Sequence, residues 1–88
     1  MQINRDFTIQ KVGASYVAVP VGETSKHFHG MVRLNETGAF LWNLMAECDR
    51  TEQELVDALL SEYDIDAETA SRDVARIVAT LREHRILI

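Results

Sequence analysis

Apolar and polar positions alternate at the strand period in two stretches near the start of the chain. Phe7 and Ile9 are interleaved with Thr8 and Gln10, and Val17, Val19 and Val21 with Tyr16, Ala18 and Pro20. Both stretches are rich in β-branched and aromatic residues, and Gly13-Ala14-Ser15 lies between them as a flexible turn. Residues 7–12 and 16–21 therefore predict a β-hairpin in which the Phe7/Ile9 side and the Val17/Val19/Val21 side cover one core. Pro20 has no N–H to give to a ladder, which places it at an edge or close to the strand's end. Residues 22–30 are polar and read as a loop, and Met31 to Leu34 predict a third short strand.

The period then changes to that of a helix. Asn35 is suited to accept a hydrogen bond from the first turn and Glu36 to face the positive end of the helix dipole, after which Phe40, Leu41, Leu44 and Met45 recur at helical spacing with Trp42 on the flank. This first helix ends near Cys48-Asp49-Arg50. Thr51 and Glu54 have the spacing of a capping box, and Leu55, Val56, Leu59, Leu60 and Tyr63 form the apolar stripe that follows. Asp64-Ile65-Asp66 interrupts the stripe. Asp66 can cap a third helix in which Ala70, Val74, Ile77, Val78 and Leu81 repeat at three- and four-residue steps, with Arg82, His84 and Arg85 at its C-terminal end. Ile86-Leu87-Ile88 is an apolar tail that should dock on the core. The order predicts an α+β protein, a three-stranded antiparallel sheet followed by three helices, of winged helix-turn-helix kind.

Length and composition narrow the function. A chain of 88 residues predicts one domain, 1–88, with little room for an enclosed catalytic cavity, so its function should sit on a surface or in a shallow groove. Fourteen acidic against nine basic residues give a net charge of −5, a field that repels a phosphate backbone on average and argues against nucleic acid. A single cysteine, no basic-then-apolar leader and no run near the ~18 apolar residues of a membrane span point to a reduced cytoplasmic setting without membrane attachment.

Three segments together carry a resemblance. Leu34-Asn35-Glu36-Thr37-Gly38-Ala39-Phe40-Leu41-Trp42, then Thr51-Glu52-Gln53-Glu54-Leu55, then Glu62-Tyr63-Asp64-Ile65-Asp66 leading into the long third helix, resemble the PqqD family, coenzyme PQQ synthesis protein D. The resemblance runs through Leu87. It implies a recognition element for ribosomally made, post-translationally modified peptides. Such an element binds the leader of a precursor peptide and presents the core to a modifying enzyme, often a radical SAM protein, in PQQ or another peptide pathway. It implies neither catalysis nor a cofactor. The leader is implied to add as a strand beside Met31, Val32, Arg33 and Leu34, in a groove walled by Asp73, Val74, Arg76, Ile77, Thr80, Leu81 and His84. Strand addition draws affinity from unpaired backbone groups on an edge and selectivity from side-chain pockets, and a charge such as Arg33 on that edge discourages indiscriminate pairing.

Other readings are weaker on physical grounds. His27 and His29 would point the same way on a strand, but a zinc or copper site needs further ligands that nothing in the sequence brings near, and a solvated polar loop accounts for them. Cys48 between Glu47 and Asp49 lies where a thiolate is disfavoured, so a half-buried structural thiol is expected. The carboxylates fit solvated helix faces, Glu36 and Thr37 fit the start of a helix, Trp42 fits the core, and Gly38 fits close helix packing, since no Gly-rich loop with a following Lys is present. The main alternative is a winged-helix DNA-binding or transcription-associated domain, yet Arg72, Arg76, Arg82 and Arg85 are interleaved with Glu68, Asp73 and Glu83, and no one-signed stripe forms. A small enzyme and an oligomerisation module stand behind both.

Overall fold

The computed structural model describes residues 1–22 and 32–87; Met31, His27, His29 and Ile88 lie outside the described residues. Three strands, β1 (Phe7–Val12), β2 (Ser15–Pro20) and β3 (Val32–Leu34), precede three helices, α1 (Glu36–Glu47), α2 (Glu52–Glu62) and α3 (Ala67–Glu83). The sheet is antiparallel in the order β1-β2-β3, which among the described residues leaves β1 and β3 as edges. This is the predicted α+β order.

The register of the hairpin overturns one expectation. The turn consists of Gly13 and Ala14 alone, so Val12 pairs with Ser15, Ile9 with Ala18 and Phe7 with Pro20. Gly13 takes a positive φ of 63°, the left-handed conformation that glycine adopts at the first central position of a two-residue type II′ turn. A turn of three residues would have put Val17, Val19 and Val21 on the side of Phe7 and Ile9. Because side chains alternate, the one-residue difference reverses the face, and Tyr16, Ala18 and Pro20 join Phe7 and Ile9 instead. Ala18 is fully buried in the core, whereas Val21 is 41 % exposed on the opposite face. Pro20 ends β2, and at that position its pairing with Phe7 requires no N–H from it: the ladder bond beyond runs from the Val21 N–H to the Asp6 carbonyl at 2.7 Å.

Each helix starts where its capping residue dictates. The Asn35 carboxamide oxygen accepts from the Gly38 N–H at 2.8 Å, and the Asp66 carboxylate from the Thr69 N–H at 2.7 Å. At α2 the capping box is complete, with the Glu54 N–H donating to the Thr51 hydroxyl at 3.1 Å and the Thr51 N–H donating to the Glu54 carboxylate at 2.9 Å. Leu41, Trp42 and Met45 of α1, Leu55 and Leu59 of α2, and Ala70, Val74, Val78 and Leu81 of α3 close over Phe7, Ala18, Val32 and Leu34 of the sheet. Full burial of each large apolar side chain contributes about 1.5–3 kcal/mol.

Both ends of the described chain are tied to this core. Arg85 turns the backbone at a φ of 59°, letting the Ile86 N–H donate to the Leu81 carbonyl at 2.8 Å and the Ile86 side chain bury completely. The N-terminal segment, which shows no strand pattern in the sequence, bridges this tail: Ile3 pairs with Leu87, and the Asn4 N–H donates to the Ile86 carbonyl at 2.7 Å. Cys48, expected to be half-buried, is exposed, because it follows the last turn of α1 where no packed face continues. Among the described residues no helix is long and apolar enough to cross a membrane.

Two stability effects follow. Thr51→Ala should cost about 1 kcal/mol in urea denaturation by opening the capping box. The Thr69 backbone N–H, and after it the Thr69 hydroxyl, hold the Asp66 carboxyl below the ordinary carboxylate range by donating to its charged form. The depressed pKa means that its contribution is present above the unfolded-state value and is lost as the pH falls through the folded one. The melting temperature of Asp66→Ala should accordingly lie below that of the parent at pH 7, and the gap should narrow below about pH 4.

Candidate functional site

The alternation of ladder bonds fixes what β3 offers at its free edge. A two-residue turn closes on a hydrogen-bonded pair at Val12 and Ser15, so the backbone groups of Ser15, Val17 and Val19 point towards β1 and those of Tyr16 and Ala18 towards β3. Tyr16 pairs with Leu34 and Ala18 with Val32, which turns the N–H and C=O of Arg33 away from the sheet. The Arg33 side chain is exposed on the face opposite the core, while Val32 and Leu34, 5 % and 4 % exposed, point into it.

Beside this edge lies a recess of about 190 Å³ formed by β3, the first turns of α1 and the flank of α3. It is smaller than the roughly 300–1,000 Å³ of small-molecule pockets, and its size suits one large side chain of a longer ligand. From β3 it takes Arg33 and Leu34, and from α3 Asp73, Arg76, Ile77 and Thr80. These four α3 positions share one flank of the helix, Asp73 lying three and four residues before Arg76 and Ile77, and Thr80 four and three after them; Asp73, Ile77 and Thr80 each precede a core residue, Val74, Val78 and Leu81, by one position. Ile77 is the half-buried apolar member on that boundary. Among the described residues, Arg33, Asp73 and Arg76 form no ion pair with one another.

Of the residues that the resemblance implied, Arg33, Leu34, Asp73, Arg76, Ile77 and Thr80 are thus brought together. Val32 stands beside Arg33 in β3 with its side chain in the core, whereas Val74 and Leu81 are not brought to the recess, because their side chains are enclosed in the core, 1 % and 0 % exposed. His84 is half-buried at the C-terminal end of α3 with Nδ1 2.8 Å from the Thr80 carbonyl oxygen, beyond the lining of the recess. Met31 lies outside the described residues.

The sequence predicted close helix packing at Gly38, which the structure shows, but placed no residue of α1 in the groove. Asn35, Thr37, Gly38 and Leu41 complete the lining. Gly38 lets the three elements meet: a Cβ there would stand 3.3 Å from Ile77 Cδ1, 3.4 Å from Leu34 Cβ and 3.2 Å from Asn35 Oδ1. The signal for this was the glycine itself, placed inside a helix where it costs stability relative to alanine unless something packs against it.

A wider cleft of about 690 Å³ separates residues 2–9 from α1, with Gln2, Asn4, Thr8, Asn43 and Glu47 on its walls. It adjoins the other sheet edge, β1. That edge is less available, since the Phe7 N–H already donates to the Asn4 carbonyl at 3.1 Å and Lys11 supplies an edge charge. Among the described residues no group of His, Cys, Asp and Glu is placed to hold a metal ion.

The family model for coenzyme PQQ synthesis protein D matches residues 16–87, from β2 through the docked tail and including every residue of the recess. The chain belongs to the PqqD family. Two solved structures share the fold of this PqqD-family chain. One is TbiB1 in complex with the TbiA(beta) leader peptide, with a TM-score of 0.73 and 24 % identity, over 99 % of this chain and 94 % of that one. The other is lasso peptide synthetase B1 complexed with the leader peptide, with a TM-score of 0.72 and 20 % identity, over 99 % and 95 % of the two chains. At these identities the likeness is one of fold. No curated protein matches the chain significantly in sequence.

Ile77 and Gly38 should be energetically coupled. In urea denaturation, Gly38→Ala should destabilise the parent more than it destabilises an Ile77→Val background, where the methyl group that the new Cβ would crowd has been removed. Equal effects in the two backgrounds would mean that the contact does not limit the packing there.

Proposed function

We propose that this PqqD-family chain, acting as one unit over residues 1–88, is a peptide-binding adaptor. It captures the leader segment of a ribosomally synthesised precursor by strand addition and presents the precursor to a modifying enzyme such as a radical SAM protein. It serves PQQ or another modified-peptide pathway in the cytoplasm and catalyses no step itself. The observation that carries this reading is the edge of β3, where Arg33 turns its N–H and C=O outwards beside a recess large enough for one side chain. The leader peptides in both structures of the same fold support it.

An extended peptide paired with Arg33 points alternate side chains to opposite faces of the sheet. One of them would enter the recess against Ile77, Leu34 and Gly38. Arg33 and Arg76 would pair with carboxylates of the same segment, and Asp73 would repel a carboxylate placed beside it, so the charges select the register as well as the partner.

The test is an amide NMR titration with the leader of a precursor peptide encoded beside this chain. Shifts should concentrate at residues 32–34 and along the 73–80 flank of α3, and Arg33→Pro should abolish binding by removing the outward N–H, with the helical circular dichroism retained. Undiminished affinity of Arg33→Pro would refute pairing at this edge, and shifts confined to β1 would move the site to the opposite edge. No response to leader peptides, together with salt-sensitive shifts on duplex DNA, would favour the DNA-binding alternative.

A further inference from the structure

Charge is segregated along this chain. Between Leu34 and Ser71 ten carboxylates accompany one cation, Arg50, whereas the rest of the chain has eight Lys and Arg against four carboxylates. The acidic segment is α1, α2 and the first turn of α3, and all ten of its carboxylate residues are exposed. Its one cation is committed, the Arg50 Nε–H donating to the Leu44 carbonyl at 3.2 Å. Several of the carboxylates also have local tasks: Glu54 and Asp66 cap helices, Asp57 accepts from Gln53, and Glu68 pairs with Arg72. Glu36, Glu62 and Asp64 have no such task among the described residues.

Glu36 and Glu62 flank an apolar surface that the core does not fully enclose, and Asp64 follows Tyr63 of that surface in the chain. Phe40 and Tyr63 meet edge to face, with ring centroids 5.6 Å apart and planes at 85°. Both are half-buried, as is Leu44 one turn beyond Phe40 on α1, and Leu60, one turn before Tyr63 on α2, is 38 % exposed. Partial burial, followed by the charges of Glu36 and Glu62, raises the Tyr63 phenol above its ordinary range, which places both carboxylates within electrostatic reach of the ring. None of Phe40, Leu44, Leu60 and Tyr63 lines the recess beside β3.

We propose that this α1–α2 surface, Phe40 and Tyr63 with Leu44 and Leu60 inside a border of Glu36, Glu62 and Asp64, is the docking site for the modifying enzyme, which meets it with an apolar patch bordered by Lys or Arg. The proposal rests on the adaptor reading, which requires a second surface that stays free while the leader occupies the groove. Two properties favour a protein partner here. Aromatic side chains that are half-buried before association supply contact area at a low entropic cost, and Tyr is enriched where interfaces hold their binding energy. The carboxylate border sets the sign of the partner: it attracts a basic surface over a distance, raises the association rate at low salt, and repels the acidic face of a second copy of this chain.

Glu62→Lys combined with Leu60→Ser tests the proposal. Glu62 ends α2, where a cation suits the helix dipole, and Leu60 is exposed, so the double variant should remain folded. Calorimetric titrations against the modifying enzyme encoded beside this chain, and separately against the leader peptide, give two independent affinities. Enzyme affinity should fall at least about tenfold in the variant and decline with salt in the parent, with leader affinity changed less than about twofold. The proposal is overturned if the parent does not bind the enzyme or the variant binds it as tightly. It is also overturned if sedimentation shows that the surface instead holds two copies together and the variant separates them. A parent that binds the enzyme through this surface but no leader peptide would leave the docking site standing and refute the groove.

Discussion

The two-residue turn at Gly13 and Ala14 governs the sheet and, through it, the arrangement of the whole molecule. By pairing Val12 with Ser15 it selects Tyr16, Ala18 and Pro20 as the inner face of the central strand. Ala18 then lies in the middle of that face, where its small side chain leaves space for the large residues of the helices. The same register decides that Val32 and Leu34 point inwards and that the backbone of Arg33 points out. A single residue more in the turn would invert the inner face and exchange the positions that pair for those that remain free.

The second constraint acts where β3 passes into α1. One intervening residue, Asn35, caps the helix, so the edge strand and the helix start are held almost rigidly to one another. Gly38 brings α3 against this junction through Ile77 and Leu34. The recess is what remains beside this contact, and its walls belong to elements fixed by the core. A peptide would meet a site already shaped, which lowers the ordering cost of binding. A fold of this kind hosts unrelated functions, and what suits this one to peptide capture is the edge of β3 and the recess beside it, together with membership of the PqqD family.

The two surfaces have different physical characters. The groove combines outward-pointing backbone groups of Arg33, one apolar hollow and charges of both signs, which suits the recognition of a short extended segment in a defined register. The α1–α2 face combines half-buried rings with carboxylates of one sign, which suits the steering of a larger body. An adaptor needs two such surfaces because it must hold one partner while presenting it to the other.

The sequence by itself determined the elements and their order. The strand alternation at Phe7 and Ile9 and the helical stripes are local patterns, and the caps at Asn35, Thr51 and Asp66 act within three residues of themselves, so each is legible without knowledge of what packs against it. The α3 side of the candidate site was legible in part: the apolar stripe was visible, but which of its residues face the core and which the recess was not. Asp73, Ile77 and Thr80 differ from Val74, Val78 and Leu81 by one position of rotation, and only the neighbouring elements divide them. Tertiary structure also decided the inner face of β2, the place of Ile3 beside the C-terminal tail, and the use of Gly38 as the meeting point of β3, α1 and α3. In each case the deciding contact joins residues distant in sequence, or turns on one residue of register, and burial is settled only once both partners are in place.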